Sequence, residues 1–170
     1  MGESTIPTTV PLRRLRRARF GRRAGATAML AFVGLGAVGL LGVRSVTARA
    51  EADGYVLEVT YPATTRPGLT SSWSASVRHP VAFSGPVTLT VPLAYLELFD
   101  FHAVHPAPTG EVSDGHEVRW TFAEPPGDRL RVRFDARTAP SVQSGAEATT
   151  RLLVDGREVA RVRYVTRVMP

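Results

Sequence analysis

Cysteine, lysine and asparagine are all absent from the 170 residues. Without cysteine there is no disulfide framework, no thiol nucleophile and no lipid-bearing thiol, so any folded part must be held by its apolar core. Without lysine, Schiff-base chemistry and a lysine general base are excluded, and arginine supplies every formal side-chain cation. The lack of asparagine removes any N-glycosylation sequon. Catalytic signatures are missing too: the chain has no G-x-S-x-G elbow, no H-E-x-x-H and no phosphate-binding G-x-x-x-x-G-K-[ST] loop. The expectation is a protein that is not an enzyme and carries no cofactor.

One stretch lacks charge altogether. Residues 24–43, AGATAMLAFVGLGAVGLLGV, are apolar throughout. A helix rising 1.5 Å per residue needs about 20 residues to cross a bilayer core of ~30 Å, and a helix pairs its own backbone where lipid offers no partner. The expectation is a transmembrane helix over 24–43. Gly36, Gly39 and Gly42 recur every third residue. They form a strip where another membrane helix could pack closely, the bland alternative being a glycine-rich anchor with no partner. Gly34-Leu35-Gly36-Ala37-Val38-Gly39 also spells G-x-G-x-x-G. A dinucleotide site needs a strand before the glycines and a βαβ unit around them, and neither is present, so that reading is discarded.

Charge sets the orientation. Arg13, Arg14, Arg16, Arg17, Arg19, Arg22 and Arg23 precede the apolar run, whereas only Arg44 and Arg49 follow closely. The positive-inside bias puts the N-terminus in the cytoplasm and the C-terminal part outside the cell membrane. Ala48-Arg49-Ala50 before Glu51 fits a signal-peptidase site. The apolar region of a cleaved signal is only about 7–15 residues, which favours a retained signal anchor. The net charge of +6 is confined to the tail, because residues 51–170 hold twelve arginines against fourteen acids. Nucleic acid is therefore not an expected partner, and the membrane lipid bilayer is. The plan is a disordered basic cytoplasmic tail (1–23), a transmembrane helix (24–43), a polar linker (44–53) and an extracytoplasmic domain (54–170).

Beyond Gly54 the apolar period becomes two. Seven segments alternate as half-buried strands: 54–61, 70–79, 87–91, 116–123, 129–136, 149–154 and 158–168. Pro-Gly at 67–68 and Pro-Pro-Gly at 125–127 mark turns, and Asp155-Gly156 is a strong hairpin signal. Residues 93–105 read as a strand, a helical turn, or both in succession. Short strands, regular turn signals and no soluble helix predict an all-β domain, an immunoglobulin-like antiparallel β-sandwich of about seven strands.

VTYPATTRPGL (59–69), the stretch from Leu98-Phe99-Asp100 to Pro106-Ala107-Pro108, and VRWTFAEPPGDRLRVRFDAR (118–137) resemble a family of uncharacterised actinobacterial single-pass membrane-anchored proteins. The resemblance implies an immunoglobulin-like β-sandwich outside the cell behind one anchor. Its motifs are turns and core aromatics, so it transfers no catalytic residue.

Two constellations remain. His102, His105 and His116 lie among Glu97, Asp100, Glu111, Asp114 and Glu117, a donor set suited to Zn²⁺ or Cu²⁺ if the loops converge. The default is a solvated acidic loop. Arg129, Arg131 and Arg133 line one side of a strand and read either as an anion-binding stripe or as solvent-facing cations paired with Glu117 and Asp135, the second being favoured. Trp73 and Trp120 are expected in the core. The leading expectation is a membrane-anchored, extracytoplasmic interaction or accessory module whose partner is another membrane protein or a cell-envelope component. An exported metal-binding domain is the alternative.

Overall fold

In the computed structural model, residues 12–37 and 43–169 are described. They fall into two compact units, divided between Leu41 and Gly42. The first contains one helix, α1 (Leu12–Ala37). Arginine, alanine and leucine are good helix formers, so the helix runs through the arginine cluster rather than beginning after it. Residues 12–23, expected to be disordered, are thus helical. Beyond Arg23 the described helix continues for fourteen residues, or ~21 Å. No helix among the described residues is long and apolar enough to cross a membrane. The end of the expected span, residues 38–42 with Gly39 and Gly42, lies outside the described residues, while Gly36 is exposed on α1.

The second unit is all-β, with ten strands among the described residues. They are β1 (Arg44–Ala52), β2 (Tyr55–Thr65), β3 (Thr70–Arg78), β4 (Val87–Pro92), β5 (Phe99–Phe101), β6 (Gly110–Ser113), β7 (Glu117–Phe122), β8 (Arg129–Thr138), β9 (Ala146–Val154) and β10 (Arg157–Val168). A helical turn, α2 (Leu93–Leu96), precedes β5, so residues 93–105 adopt helix and strand in succession. The seven expected strands are all present, and β1, β5 and β6 are additional. The stretch expected as a linker (44–53) is mostly β1, joined to β2 by Asp53-Gly54 with φ of 50° and 77°. Asp155-Gly156 repeats those angles between β9 and β10. Positive φ at both central residues marks the hairpin turn that matches strand twist.

The strands follow one hydrogen-bonded path, β5-β8-β3-β2-β10-β9-β4-β7-β6, with β1 added on β2. Pairing is antiparallel except where Arg167 and Val168 of β10 run parallel to Thr64 and Thr65 of β2. That join separates a half made of β1, β2, β3, β8 and β5 from a half made of β10, β9, β4, β7 and β6. The path curls so that the inward faces meet. Trp73 on β3 lies 6.3 Å, edge-on, from Trp120 on β7, and Phe134 on β8 packs against both. Leu57, Val59, Leu89, Val132 and Leu152 are fully buried around them, as their alternation predicts.

Candidate functional site

On the outward face of β8, alternation places Arg129, Arg131 and Arg133 in a row, each exposed. Successive members are ~6.8 Å apart along the strand. The register extends this row into a surface. Arg129 lies opposite Arg78, Arg131 opposite Ser76 and Arg133 opposite Ser74. Farther across, Ser76 faces Glu58 and Ser74 faces Thr60, which in turn meet Arg49 and Thr47 of β1. The face is therefore an arginine edge bordering a field of hydroxyls. Thr47 and Thr60 share a hydrogen bond of 2.7 Å, and a cleft of about 110 Å³ opens among Ser76, Arg78, Arg129 and Arg131, with Arg49, Val56 and the Glu58 carboxylate on its other side.

The favoured pairing of this row with Glu117 and Asp135 is corrected by the topology. Glu117 begins β7 in the other half, where its carboxylate accepts from Arg119 at 3.0 Å and also meets Arg151. Asp135 sits opposite Ser72 and forms no ion pair among the described residues. Glu58 belongs to Arg49, 3.4 Å away. Among the described residues, Arg78, Arg129, Arg131 and Arg133 have no carboxylate within ion-pair distance. Like charges directly opposite one another destabilise a sheet, so Arg78 facing Arg129 is a local cost that a bound anion would remove. Arg78 could not be found from sequence, because only the β3–β8 register brings it to the row.

The three histidines expected at a metal site are distributed over separate segments. His102 is exposed just after β5. His105 is bridged through its backbone to Arg133, with both N–H···O distances 2.8 Å. His116 sits in the β6–β7 turn, where its N–H and that of Glu117 donate to Asp114 Oδ1 at 3.0 Å. Those two backbone donors hold the Asp114 carboxyl below its usual range. Among the described residues there is no group of three or more His, Cys, Asp or Glu side chains placed to hold an ion.

A second concavity, about 270 Å³, lies where α2 and β5 approach β6 and β7. Its walls are largely apolar, and Glu97 and Glu111 stand beside it.

No family model matches the chain, and no curated protein does. Among solved structures, the human F-spondin reeler domain is 12% identical, covering 66% of this chain and 92% of that domain, at a TM-score of 0.42. The Pseudomonas fluorescens alkylpurine DNA glycosylase AlkC, bound to DNA containing an abasic site analog, is 15% identical at a TM-score of 0.32. The match covers 62% of this chain and 28% of that enzyme. At these scores neither neighbour bears on what this chain binds.

Proposed function

We propose that the chain is a non-enzymatic, membrane-anchored module that presents an immunoglobulin-like β-sandwich outside the cell and binds an acidic envelope component on its arginine face. The immunoglobulin reading is supported by strand order. β2-β3-β8-β5 corresponds to A-B-E-D and β4-β9-β10 to C-F-G, with β6 and β7 inserted between D and E and β1 added before A. The anchor is supported by the uncharged run 24–43 behind seven arginines, and by Met29, Leu30 and Phe32 of α1, which are 64–72% exposed to solvent although apolar.

The observation that carries the binding role is the unpaired row Arg129, Arg131 and Arg133 facing Arg78 and serine hydroxyls. Guanidinium groups repeated along a strand suit a linear partner with regularly spaced phosphate, sulfate or carboxylate groups. Two measurements test the proposal. A tag after Pro170 is expected to be cut by protease added to intact spheroplasts, and protection of that tag overturns the topology. Binding of the full-length protein to inorganic polyphosphate should weaken as salt rises. Replacing both Arg131 and Arg133 by Ala should flatten the log–log salt slope by about 1.4–1.8, at ~0.7–0.9 per lost contact. An unchanged slope overturns the face as the binding surface.

A further inference from the structure

We propose that the cleft between α2, β5, β6 and β7 binds a small organic cation that carries an apolar body and an acceptor oxygen. The cleft takes one wall residue from each terminal strand of the two halves, Phe101 of β5 and Glu111 of β6. Leu96, Phe101, Val118 and Trp120 supply apolar wall, and Glu97 and Glu111 the charge. Glu111 lies directly opposite Trp120 in the β6–β7 register, which puts its side chain on the same face of the sheet as the indole. Both glutamates are exposed, and neither forms an ion pair among the described residues.

The decisive feature is Trp120 itself. Its Nε1–H is the one buried side-chain polar atom without a hydrogen-bond partner among the described residues. The other tryptophan of the same core, Trp73, donates to the Tyr164 hydroxyl at 3.0 Å. Burying an indole donor unpaired is unfavourable, and interiors of folded proteins rarely leave one so. An acceptor oxygen that enters the cleft and displaces the side chains covering Nε1–H would supply the missing partner, with an ammonium group held between the two carboxylates. An inward-pointing charge on an edge strand also blocks strand addition, which would explain Glu111. It explains neither Glu97 nor the unpaired indole. Two carboxylates among apolar walls, without the third ligand a metal site needs, favour an organic cation over a metal ion.

L-Phenylalaninamide carries the three required features: ring, ammonium and carbonyl oxygen. The test follows the two indole N–H signals in nitrogen–proton correlation spectra of the full-length protein in dodecyl maltoside micelles. Trp120→Phe identifies which signal is which. Titration is expected to shift the Trp120 signal saturably and leave that of Trp73 in place, the latter also reporting that the core is intact. Phenylacetamide, which lacks the ammonium, should bind about tenfold more weakly, and Glu97→Gln with Glu111→Gln should weaken phenylalaninamide by a similar factor. The proposal is overturned if phenylalaninamide gives no saturable shift up to its solubility limit, or if the double glutamine variant binds it as tightly as the native chain. None of these results depends on the arginine face or on membrane topology.

Discussion

Trp73 on β3 donates its indole N–H to the hydroxyl of Tyr164 on β10 across 3.0 Å, a polar tie between the two halves of the curled sheet that runs through its core. Tyr164 is in turn hydrogen-bonded to Thr150 on β9 at 2.8 Å, and its ring lies edge-on to Tyr95, 5.1 Å away. Each polar tip in this chain is buried, so each needs its partner. Tyr164→Phe is expected to destabilise the protein by ~1–3 kcal/mol, because it strands the Trp73 donor and the Thr150 hydroxyl in an apolar core. Urea unfolding measures this. Adding Trp73→Phe should cost less than the two single changes summed, since the stranded donor then disappears with its partner.

The same tyrosines set a pH limit. Burial pushes the Tyr164 phenol up from 10.0 to about 12, although its hydrogen bonds to Thr150 and Trp73 pull the other way. Burial, reinforced by the neighbouring Tyr164, raises Tyr95 further. Between pH 10 and 12 the unfolded chain has lost these protons while the folded chain keeps them, so stability falls as pH rises. The contribution is fully present below pH 10.0, and above it the expected loss approaches ~1.4 kcal/mol per pH unit for each tyrosine. Urea midpoints followed through this range should be level in mildly alkaline solution and then decline. Tyr164→Phe should make the decline shallower, and an equally steep decline in that variant would show that other groups drive it.

The sequence reads most clearly where burial enforces alternation. Leu130, Val132, Phe134 and Ala136 of β8 are all buried, and so are Val118, Trp120 and Phe122 of β7. β6 leaves no such trace, because all four of its residues are exposed, Val112 at 63% among them. β1 is masked for a related reason. It is an edge strand whose inner positions, Val46, Ala48 and Ala50, are small and only half buried. Asp53-Gly54 nevertheless carries the dipeptide that correctly announces the β9–β10 hairpin, and its message is hidden by the weak strand before it. The arginine row was legible as three residues on one strand, but its isolation from Glu117 is a fact of topology that no spacing reveals. Trp120 could be assigned to the core from its position, whereas the missing partner of its N–H exists only in three dimensions.

Among the described glycines, Gly145 has the closest backbone neighbour. A Cβ added there would overlap the carbonyl of Thr166 on β10, and no flexible side-chain end is available to move aside. Gly156, by contrast, needs glycine for its φ of 77° but has open space around it. Gly145→Ala should therefore cost more than Gly156→Ala. The first is expected at or above the upper end of the ~1–3 kcal/mol usual for overpacking, the second near ~1 kcal/mol. Thermal unfolding of the two variants checks the ranking. A reversed order would mean that the end of β10 yields easily, even though it carries the parallel join to β2.

Arg78 and Arg129 give the sharpest test of whether the cationic face exists for binding or for folding. Their side chains project from directly opposed positions on β3 and β8, and neither meets a carboxylate among the described residues. If the pair is retained to hold an anion, Arg78→Ser should stabilise the free protein by a few tenths of a kcal/mol at low salt, by removing the repulsion. That gain should fade near 1 M salt, where the screening length shrinks to ~3 Å. The same change should weaken polyphosphate binding. Opposite signs for stability and binding are what a site maintained against its own fold produces. Loss of stability at low salt would instead mean that Arg78 supports the sheet through its aliphatic stem, and the face would need no ligand to account for it.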